Sequence, residues 1–307
     1  MSHRPVKVGL CLAIVEDPMS GRVPRWVEVK ECARVAEQIG FDTVWVPDEL
    51  LWRQAKWPGP RGWWECVATT AAVAACTSRI GVGTWVISGL YRNPALMAKI
   101  VETLDEIAGG RFIFGIGSGS GDREAESFGY PKDHVYSRFA EALDILLPLL
   151  SNGTVEHRGT FYQAVDLELR PRGPRPGKIP LMIGGHGPKM MRLAAQHADI
   201  WSAYATESSH PKALIPLIDE FERACEEVGR DPSSIGRSMG VFVEPTEVSG
   251  GAAAGLGEPI RGSAQKIAEE ITELAALGVT QVEIWPWPFT LAAVEALAPV
   301  VAALDHA

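Results

Sequence analysis

Eight short apolar runs alternate with eight amphipathic stretches along this chain, and the alternation restricts the folds open to it. The runs have the length of buried strands, and the stretches repeat apolar residues every three to four positions, as helices do. The predicted strands are Val6–Leu12, Asp42–Pro47, Ile80–Ile87, Phe112–Gly117, Leu181–Gly184, Asp199–Tyr204, Ser238–Val243 and Thr280–Trp285. The predicted helices lie at 29–39, Cys66–Cys76, 94–107, Arg138–Leu150, Pro188–His197, Pro211–Val228, Ala264–Leu277 and Leu291–Leu304.

Strict strand–helix alternation predicts a parallel sheet, because crossover connections between parallel strands are right-handed, and eight such units close into a barrel. The fold class is therefore α/β, a single (β/α)8 TIM barrel with insertions, one of them a β-hairpin at Thr154–Leu169 before strand five. Two doubly wound domains would need a break in composition, and we find none. We expect residues 1–307 to form one domain.

The net charge of −9 and the lack of any window rich in Lys or Arg argue against nucleic-acid and anionic-membrane partners. No apolar stretch approaches the roughly 20 residues of a membrane span. Five cysteines without a CxxC motif, and no secretory signal, predict reduced thiols in the cytoplasm. An acidic surface with apolar helices such as Pro94–Ala108 makes a homodimer plausible.

In a barrel, the active site is built by the loops that leave the carboxyl ends of the strands. The loop after strand two, Asp48–Trp64, carries four tryptophans: Trp52, Trp57, Trp63 and Trp64. They can form a small core of the loop itself or a wall for a large planar ligand, and both roles can hold for different tryptophans.

The segment Gly184-Gly185-His186-Gly187-Pro188 stands between strand five and the next helix. Free N–H groups at a helix N-terminus form an anion site, although an ordinary tight turn explains the glycines equally well. No spacing of His, Cys and Asp predicts a metal site.

Three segments together resemble the luciferase-like monooxygenase superfamily, in its branch of coenzyme F420- or FMN-dependent oxidoreductases. They are Arg79-Ile-Gly-Val-Gly-Thr-Trp-Val86, Tyr91-Arg-Asn-Pro-Ala-Leu-Met-Ala-Lys99 and Thr103-Leu-Asp-Glu-Ile-Ala-Gly-Gly-Arg-Phe-Ile-Phe-Gly-Ile-Gly-Ser-Gly119. Supporting blocks are Gly40–Asp48, the motif from Phe128 to Glu141, and Pro180–Pro188.

The resemblance implies a barrel that holds a deazaflavin or flavin at its carboxyl face. It places a cis peptide bond at Trp85–Val86 behind the cofactor ring, beside Thr84. It places the phosphate near Gly184, Gly185, His186 and Gly187, and the ring edge or ribityl chain near Ser118 and Gly119.

The chain departs from the family at two positions. Many F420-dependent members carry Asp-His after strand two, where this chain has Asp48-Glu49, and the sugar-phosphate dehydrogenases carry a Glu where this chain has Ser120. A sugar-phosphate substrate is therefore disfavoured. Asp48 and Glu49 are the candidate catalytic residues, with Glu49 as a proton relay, or they form loop hydrogen bonds and ion pairs. Trp52 and Trp63 are the candidate substrate-pocket residues.

The leading hypothesis is hydride transfer between coenzyme F420 and a small organic substrate. The alternatives are a monooxygenase that uses O₂ and reduced FMN from a partner reductase, and a non-catalytic flavin-binding protein. A cofactor-free lyase or isomerase is disfavoured, because the sequence shows neither a metal cluster nor an evident Lys/Glu pair.

Overall fold

Eight parallel strands close into a barrel in the structure, a computed structural model that describes residues 4–55, 57–120, 122–204, 206–248 and 257–306. The barrel strands are β1 Lys7–Cys11, β2 Thr43–Val46, β3 Gly81–Thr84, β4 Phe112–Gly117, β5 Leu181–Gly184, β6 Ile200–Tyr204, β7 Gly236–Pro245 and β8 Gln281–Pro286. Each of them pairs with the next along the chain, including β4 with β5, and β8 pairs with β1, so the barrel is closed. The predicted barrel is confirmed.

Helices connect the barrel strands and cover the outside of the sheet. They are α1 Trp26–Ile39, α2 Cys66–Cys76, α3 Pro94–Ile107, α4 Arg123–Ser127, α5 Val135–Asn152, α6 Pro188–His197, α7 Pro211–Val228, α8 Ala264–Ala276, α9 Leu291–Glu295 and α10 Ala298–Leu304. Short 3₁₀ turns lie at Pro232–Ser234 and Thr246–Val248. The predicted hairpin is present as Thr154–Arg158 paired with Gln163–Glu168. Smaller strands pair Leu51–Trp52 with Arg61–Gly62, Ile87–Ser88 with β4, and Ile260–Gly262 with β7.

Local sequence signals explain where several helices begin and end. Asn93 caps α3 by accepting hydrogen bonds from the N–H groups of Ala95 and Leu96, and Pro94 occupies the first turn, where no N–H is needed. Gly40 ends α1 in the left-handed conformation, at φ 98°. Both boundaries agree with the sequence prediction.

Two predicted elements are interrupted in the structure. Strand three ends at Thr84, and the chain resumes pairing only at Ile87–Ser88. The peptide bond between Trp85 and Val86 is cis, as the resemblance implied. The last helix is divided into α9 and α10. Pro299 stands in the first turn of α10 and has no N–H to continue the hydrogen bonds of the helix before it.

Trp45 on β2 fills the middle of the barrel and is fully buried. Two glycines make room for it, since a Cβ atom at Gly9 on β1 or at Gly83 on β3 would collide with the Trp45 ring. Trp85 crosses the next layer toward the barrel mouth and lies against Gly240 on β7, where a Cβ atom would again overlap the ring. Tryptophans facing glycines thus supply the packed interior that a barrel of this size needs.

A buried acid lies beside Trp45 in the same interior. Glu283 on β8 is fully buried, and its Oε1 accepts hydrogen bonds from the Ser238 hydroxyl at 2.8 Å and from the Gln281 amide. Its Oε2 has no hydrogen-bond partner among the described residues. Burial raises the pKa of the Glu283 carboxyl to about 8, so the barrel interior holds a neutral acid at pH 7.

The Glu283→Gln variant is predicted to change how stability depends on pH. Between the ordinary pKa of 4.5 and the folded value of about 8, unfolding releases the Glu283 proton, so rising pH favours the unfolded chain. We expect the wild type to lose about 1.4 kcal/mol per pH unit in this window relative to the variant. Urea unfolding at several pH values measures the difference. Glu269→Gln, at an exposed position of α8, is the control and keeps the wild-type slope.

Candidate active site

A cavity of about 520 Å³ opens at the carboxyl ends of the barrel strands, where the sequence placed the site. Its size is in the range of small-molecule and cofactor pockets. Seven Trp, Tyr and Phe side chains from the loop after β2, from the segment between β3 and α3 and from β6, β7 and β8 line it: Trp52, Trp63, Trp85, Tyr91, Tyr204, Phe242 and Trp285. The walls are therefore mainly flat and apolar.

Two tryptophans of the loop after β2 face the cavity, and the loop is packed onto the main core. Trp52 packs edge-on against Trp63, with ring centres 4.7 Å apart, and both rings line the cavity. Trp57 lies 5.7 Å from Trp52 and is buried. Trp64 is half-exposed and donates its indole N–H to the Pro24 carbonyl. Because Trp57 and Trp63 belong to the main hydrophobic core, the loop presents a wall to the cavity and shares that core rather than forming one of its own.

Trp85 forms part of the floor of the cavity. Its indole N–H donates to the Ser202 hydroxyl at 2.8 Å, and its ring contacts Tyr204 and Trp285 at centre distances of 6.2 and 5.8 Å. Ser202 donates to Ser238 at 3.3 Å, and Ser238 donates to Glu283. Because an indole can only donate, the hydrogen bonds all run from the floor down to the buried acid.

Val86, on the other side of the cis bond, lies over two glycines of the neighbouring strands. A Cβ atom at Gly117 on β4 or at Gly184 on β5 would come within 2.9 Å of the Val86 Cγ2. The two glycines therefore let this side chain sit deep against the sheet.

Asp48 lines the cavity, but its carboxylate is held by a cation. Arg92 binds it with two N–H groups, at 2.5 and 3.0 Å, and the Ser88 N–H donates at 2.7 Å. The Asp48 side chain has no exposed surface, and pairing with Asp48 raises the pKa of Arg92 against the effect of burial. This arrangement gives the buried Asp48 side chain a cation as its partner and couples the loop after β2 to the segment that leads into α3.

Glu49, the next residue, is in a different environment. It lines the cavity, its carboxyl accepts the Trp52 indole N–H, and it also meets the carboxyl of Glu124. Burial and the neighbouring Glu124 carboxyl raise the pKa of Glu49 well above its ordinary value. Two adjacent acidic residues thus have different neighbours, a cation for Asp48 and another acid for Glu49, and an acid with a raised pKa beside a cavity is typical of acid–base sites.

Glu124 comes from α4, in the loop after β4, and only 4% of it is exposed. Its Oε1 accepts the backbone N–H groups of Leu50 and Leu51, the latter at 3.2 Å. These bonds tie α4 to the residues that directly follow Glu49.

Gly184, Gly185 and His186 line the opposite side of the cavity, at the N-terminus of α6. Burial lowers the pKa of His186. Its Nε2 accepts the Tyr204 N–H at 3.0 Å, so the neutral ring carries its proton on Nδ1. A Cβ atom at Gly185 would come within 2.7 Å of the Met190 Cβ, whereas one at Gly187 would meet nothing within 4 Å.

The remaining predicted site residues divide between the wall and the layer beneath it. Ser118 and Gly119 line the cavity, as do Val86 and Trp85. Thr84 is fully buried, with its hydroxyl bonded to the backbone of Gly115, and it lies below the cavity. Gly187 is the N-cap of α6 and stands outside the described lining.

Sequence reasoning missed several lining residues. Tyr204, Phe242 and Trp285 lie on β6, β7 and β8 near the carboxyl ends of these strands, so the barrel rule itself could have found them. Nothing in the sequence indicates Glu124, because its place depends on α4 folding back onto the loop after β2.

In the part of the chain that the structure describes, no group of three or more His, Cys, Asp and Glu side chains is placed to hold a metal ion. None of the described helices combines the length and the apolar character that crossing a membrane requires.

The sequence profile of the luciferase-like monooxygenase family matches residues 6–254. The chain belongs to this family. Among curated relatives, it is 30% identical over 219 residues to the 5,10-methylenetetrahydromethanopterin reductase of Archaeoglobus fulgidus, covering 71% of this chain and 58% of the reductase. It is 30% identical over 211 residues to the F420-dependent glucose-6-phosphate dehydrogenase of Amycolatopsis mediterranei, covering 66% and 62%. The chain thus spans about three fifths of the length of these relatives.

Solved structures share the fold over nearly the whole chain. An F420-dependent secondary alcohol dehydrogenase, in complex with an F420–acetone adduct, superposes with a TM-score of 0.79 at 19% identity, covering 97% of this chain and 99% of the dehydrogenase. The F420-dependent tetrahydromethanopterin reductase of Methanopyrus kandleri gives 0.75 at 20% identity, covering 95% and 97%. At these identities the likeness establishes the barrel and its connections.

The Arg92→Met variant is predicted to lose about 3–5 kcal/mol of unfolding free energy, because it leaves the Asp48 carboxylate buried without its cation. Urea unfolding at pH 7 measures the loss. Arg192→Met is the matched control, since Arg192 pairs with Glu227 at 2.5 Å but both side chains are more than half exposed. That variant should lose less than about 1 kcal/mol. Equal losses would contradict the structural role of the Asp48–Arg92 pair.

Proposed function

We propose that this protein is an oxidoreductase that binds coenzyme F420 in the cavity and transfers a hydride between it and a small organic substrate. The observation that carries the proposal is the pairing, across one aromatic cavity, of a glycine-rich helix N-terminus with an acid, Glu49, whose pKa is raised by burial and by the neighbouring Glu124. Its relatives in this family include a methylenetetrahydromethanopterin reductase and F420-dependent dehydrogenases, which supports the same assignment.

The lining residues fit a deazaflavin on three grounds. The aromatic walls and the Trp85–Val86 floor suit a flat ring. The N-terminus of α6, capped by Gly187 and close to the lining residues Gly185 and His186, favours a phosphate there. Lys189, in the first turn of α6, adds a cation on the same side and lies over the Tyr136 ring. In this proposal Ser118 and Gly119 contact the ring edge or the ribityl chain.

A bound deazaflavin would supply or accept the hydride, and the protein would handle the accompanying proton. Glu49 is the proposed proton donor, and the acceptor in the reverse direction, because it borders the cavity and its pKa is raised well above the ordinary value. Asp48 is the proposed positioning residue, bound by Arg92. The loop after β2 excludes water from the same region through Trp52 and Trp63.

The substrate is proposed to be uncharged and largely apolar. Of the described residues that line the cavity, none is a lysine or an arginine. A phosphorylated substrate would need a cation or a second set of backbone donors, and Ser120 stands where sugar-phosphate dehydrogenases carry a Glu. Trp52 and Trp63 form the proposed substrate pocket. The homodimer, the partner reductase and the cytoplasmic location stay predictions.

The cofactor proposal is tested by titrating the purified protein with coenzyme F420 and, separately, with FMN, and following the fluorescence of each. We expect F420 to bind more tightly. Tight binding of FMN alone, with turnover on reduced FMN and O₂, would favour the monooxygenase alternative. Binding of F420 without turnover of any substrate would favour a binding protein. Failure to bind either cofactor would overturn the proposal.

The Gly187→Asp variant tests the phosphate site. Asp is a favourable N-cap, so α6 should keep its stability, but the new negative charge lies where the cofactor phosphate is proposed to bind. We expect F420 affinity to fall at least about 10-fold, roughly 1.4 kcal/mol. Gly187→Asn has nearly the same shape without the charge and should bind almost normally. Equal affinities in the two variants would place the phosphate elsewhere.

The Glu49→Gln variant tests the proton donor. We expect the rate of the chemical step to fall by about 10²–10⁴-fold, while the affinities for cofactor and substrate stay near normal. Single-turnover kinetics and equilibrium titration separate the two effects. A parallel loss of binding and rate would instead assign Glu49 to the structure of the loop.

A further inference from the structure

Glu124 is a buried acid that touches Glu49 and is separated from the cavity by it. We propose that Glu49 and Glu124 share a single proton at neutral pH, and that Glu124 is a positioning residue that keeps this proton on Glu49. The catalytic consequence rests on the proposed function, but the shared proton does not.

The geometry of the loops brings the two carboxyls together. Glu49 follows β2, and Glu124 lies in α4 after β4. The N–H groups of Leu50 and Leu51 both donate to the Glu124 Oε1, so the residues that follow Glu49 fix the position of the Glu124 carboxyl. Backbone hydrogen bonds to Glu124 therefore hold its carboxyl next to Glu49.

Among the described residues, no lysine or arginine pairs with Glu49 or Glu124, and Arg92 is engaged by Asp48 and by Glu65. The other charged or titratable groups nearby are Asp48, Asp122, Tyr91 and Tyr204, and burial, together with Glu124 and Glu49, raises the pKa of the Tyr91 hydroxyl. Two carboxylates in contact at such a place cannot both ionise, so the pair retains one proton.

The hydrogen bonds decide which acid carries it. Glu124 accepts two backbone N–H groups, which favours its ionised form, whereas Glu49 accepts only the Trp52 indole. The proton therefore belongs on Glu49. At rest, the protonated Glu49 carboxyl donates a hydrogen bond to Glu124, and Glu49 also borders the cavity.

The proton balance of the reaction follows from this arrangement. In reduction of a carbonyl, the carbon gains the hydride and the oxygen gains the Glu49 proton, so the C=O bond becomes H–C–O–H. Glu49 is left as a carboxylate next to ionised Glu124, and the pair regains one proton from water. In alcohol oxidation each transfer runs in reverse. The pair first releases its proton to water, and Glu49 then accepts the hydroxyl proton as the carbon gives up the hydride.

The shared proton is tested without cofactor, by infrared spectroscopy of the C=O stretch of protonated carboxyl groups at pH 7. All proteins carry Glu283→Gln, so that the other buried acid does not contribute. We expect a band in this parent that is lost in Glu49→Gln. As the pH is raised, the band should disappear in Glu124→Gln at a lower pH than in the parent, because burial still favours the protonated form of Glu49 but the neighbouring charge is gone. Glu126→Gln, in the same short helix but largely exposed and paired with Lys132 at 3.1 Å, should keep the band of the parent.

Gln at position 124 still offers an oxygen to the Leu50 and Leu51 N–H groups, so the loop should fold. Absence of the band in the parent, or its disappearance at the same pH in Glu124→Gln as in the parent, would overturn the shared proton. Persistence in Glu49→Gln would move the proton to Glu124 and contradict its assignment to Glu49.

The functional half is tested by the pH profile of substrate reduction. Loss of the Glu124 charge lowers the pKa of Glu49, so the pH at which the rate falls to half should move down by at least about one unit in Glu124→Gln, with F420 affinity unchanged. Glu126→Gln should follow the wild type. An unmoved profile with normal F420 binding contradicts the role of Glu124, whereas failure of all variants and the wild type to bind F420 contradicts the proposed function and leaves the infrared result standing.

Discussion

The need to fill the inside of a closed barrel is the constraint on which the rest of this structure depends. Eight strands leave an interior that must be packed with side chains, because an empty one would lose the contacts that hold the sheet closed. Here Trp45 fills the middle, in space left by Gly9 and Gly83, and Trp85 fills the layer above it against Gly240. The upper tryptophan is at once the top of the core and part of the floor of the cavity.

The acid–base properties of the site follow from the same dense packing of aromatic rings. Packing large apolar rings around carboxyl groups removes water from them, and the outcome then depends on the nearest partner. Asp48 is bound by Arg92, Glu49 meets another acid, and Glu283 has only neutral donors. The barrel interior and its mouth thus place three carboxyls in three different environments, which differ in the nearest neighbour of each.

The fold could be predicted closely from sequence because it depends on local signals repeated eight times, such as apolar runs, caps like Asn93 and closing glycines like Gly40. The site residues that follow strands directly, Glu49 and Gly184 among them, were found in the same way. Two features could not be predicted in this way. Glu124 contacts the loop after β2 from a distant segment, and no spacing in the sequence encodes that contact. The break of the last helix depends on one proline inside an otherwise regular pattern.

The tryptophans of the barrel interior and the glycines that face them also restrict how this protein can evolve. A larger residue at position 9 or 83 is tolerated only after Trp45 has become smaller, and one at 240 only after Trp85 has. The substitution order is therefore fixed: the ring must shrink first, through an intermediate that carries an internal void. We expect descendants with a deeper cavity to pass through loss of the indole at position 85, and to gain a side chain at position 240 only afterwards.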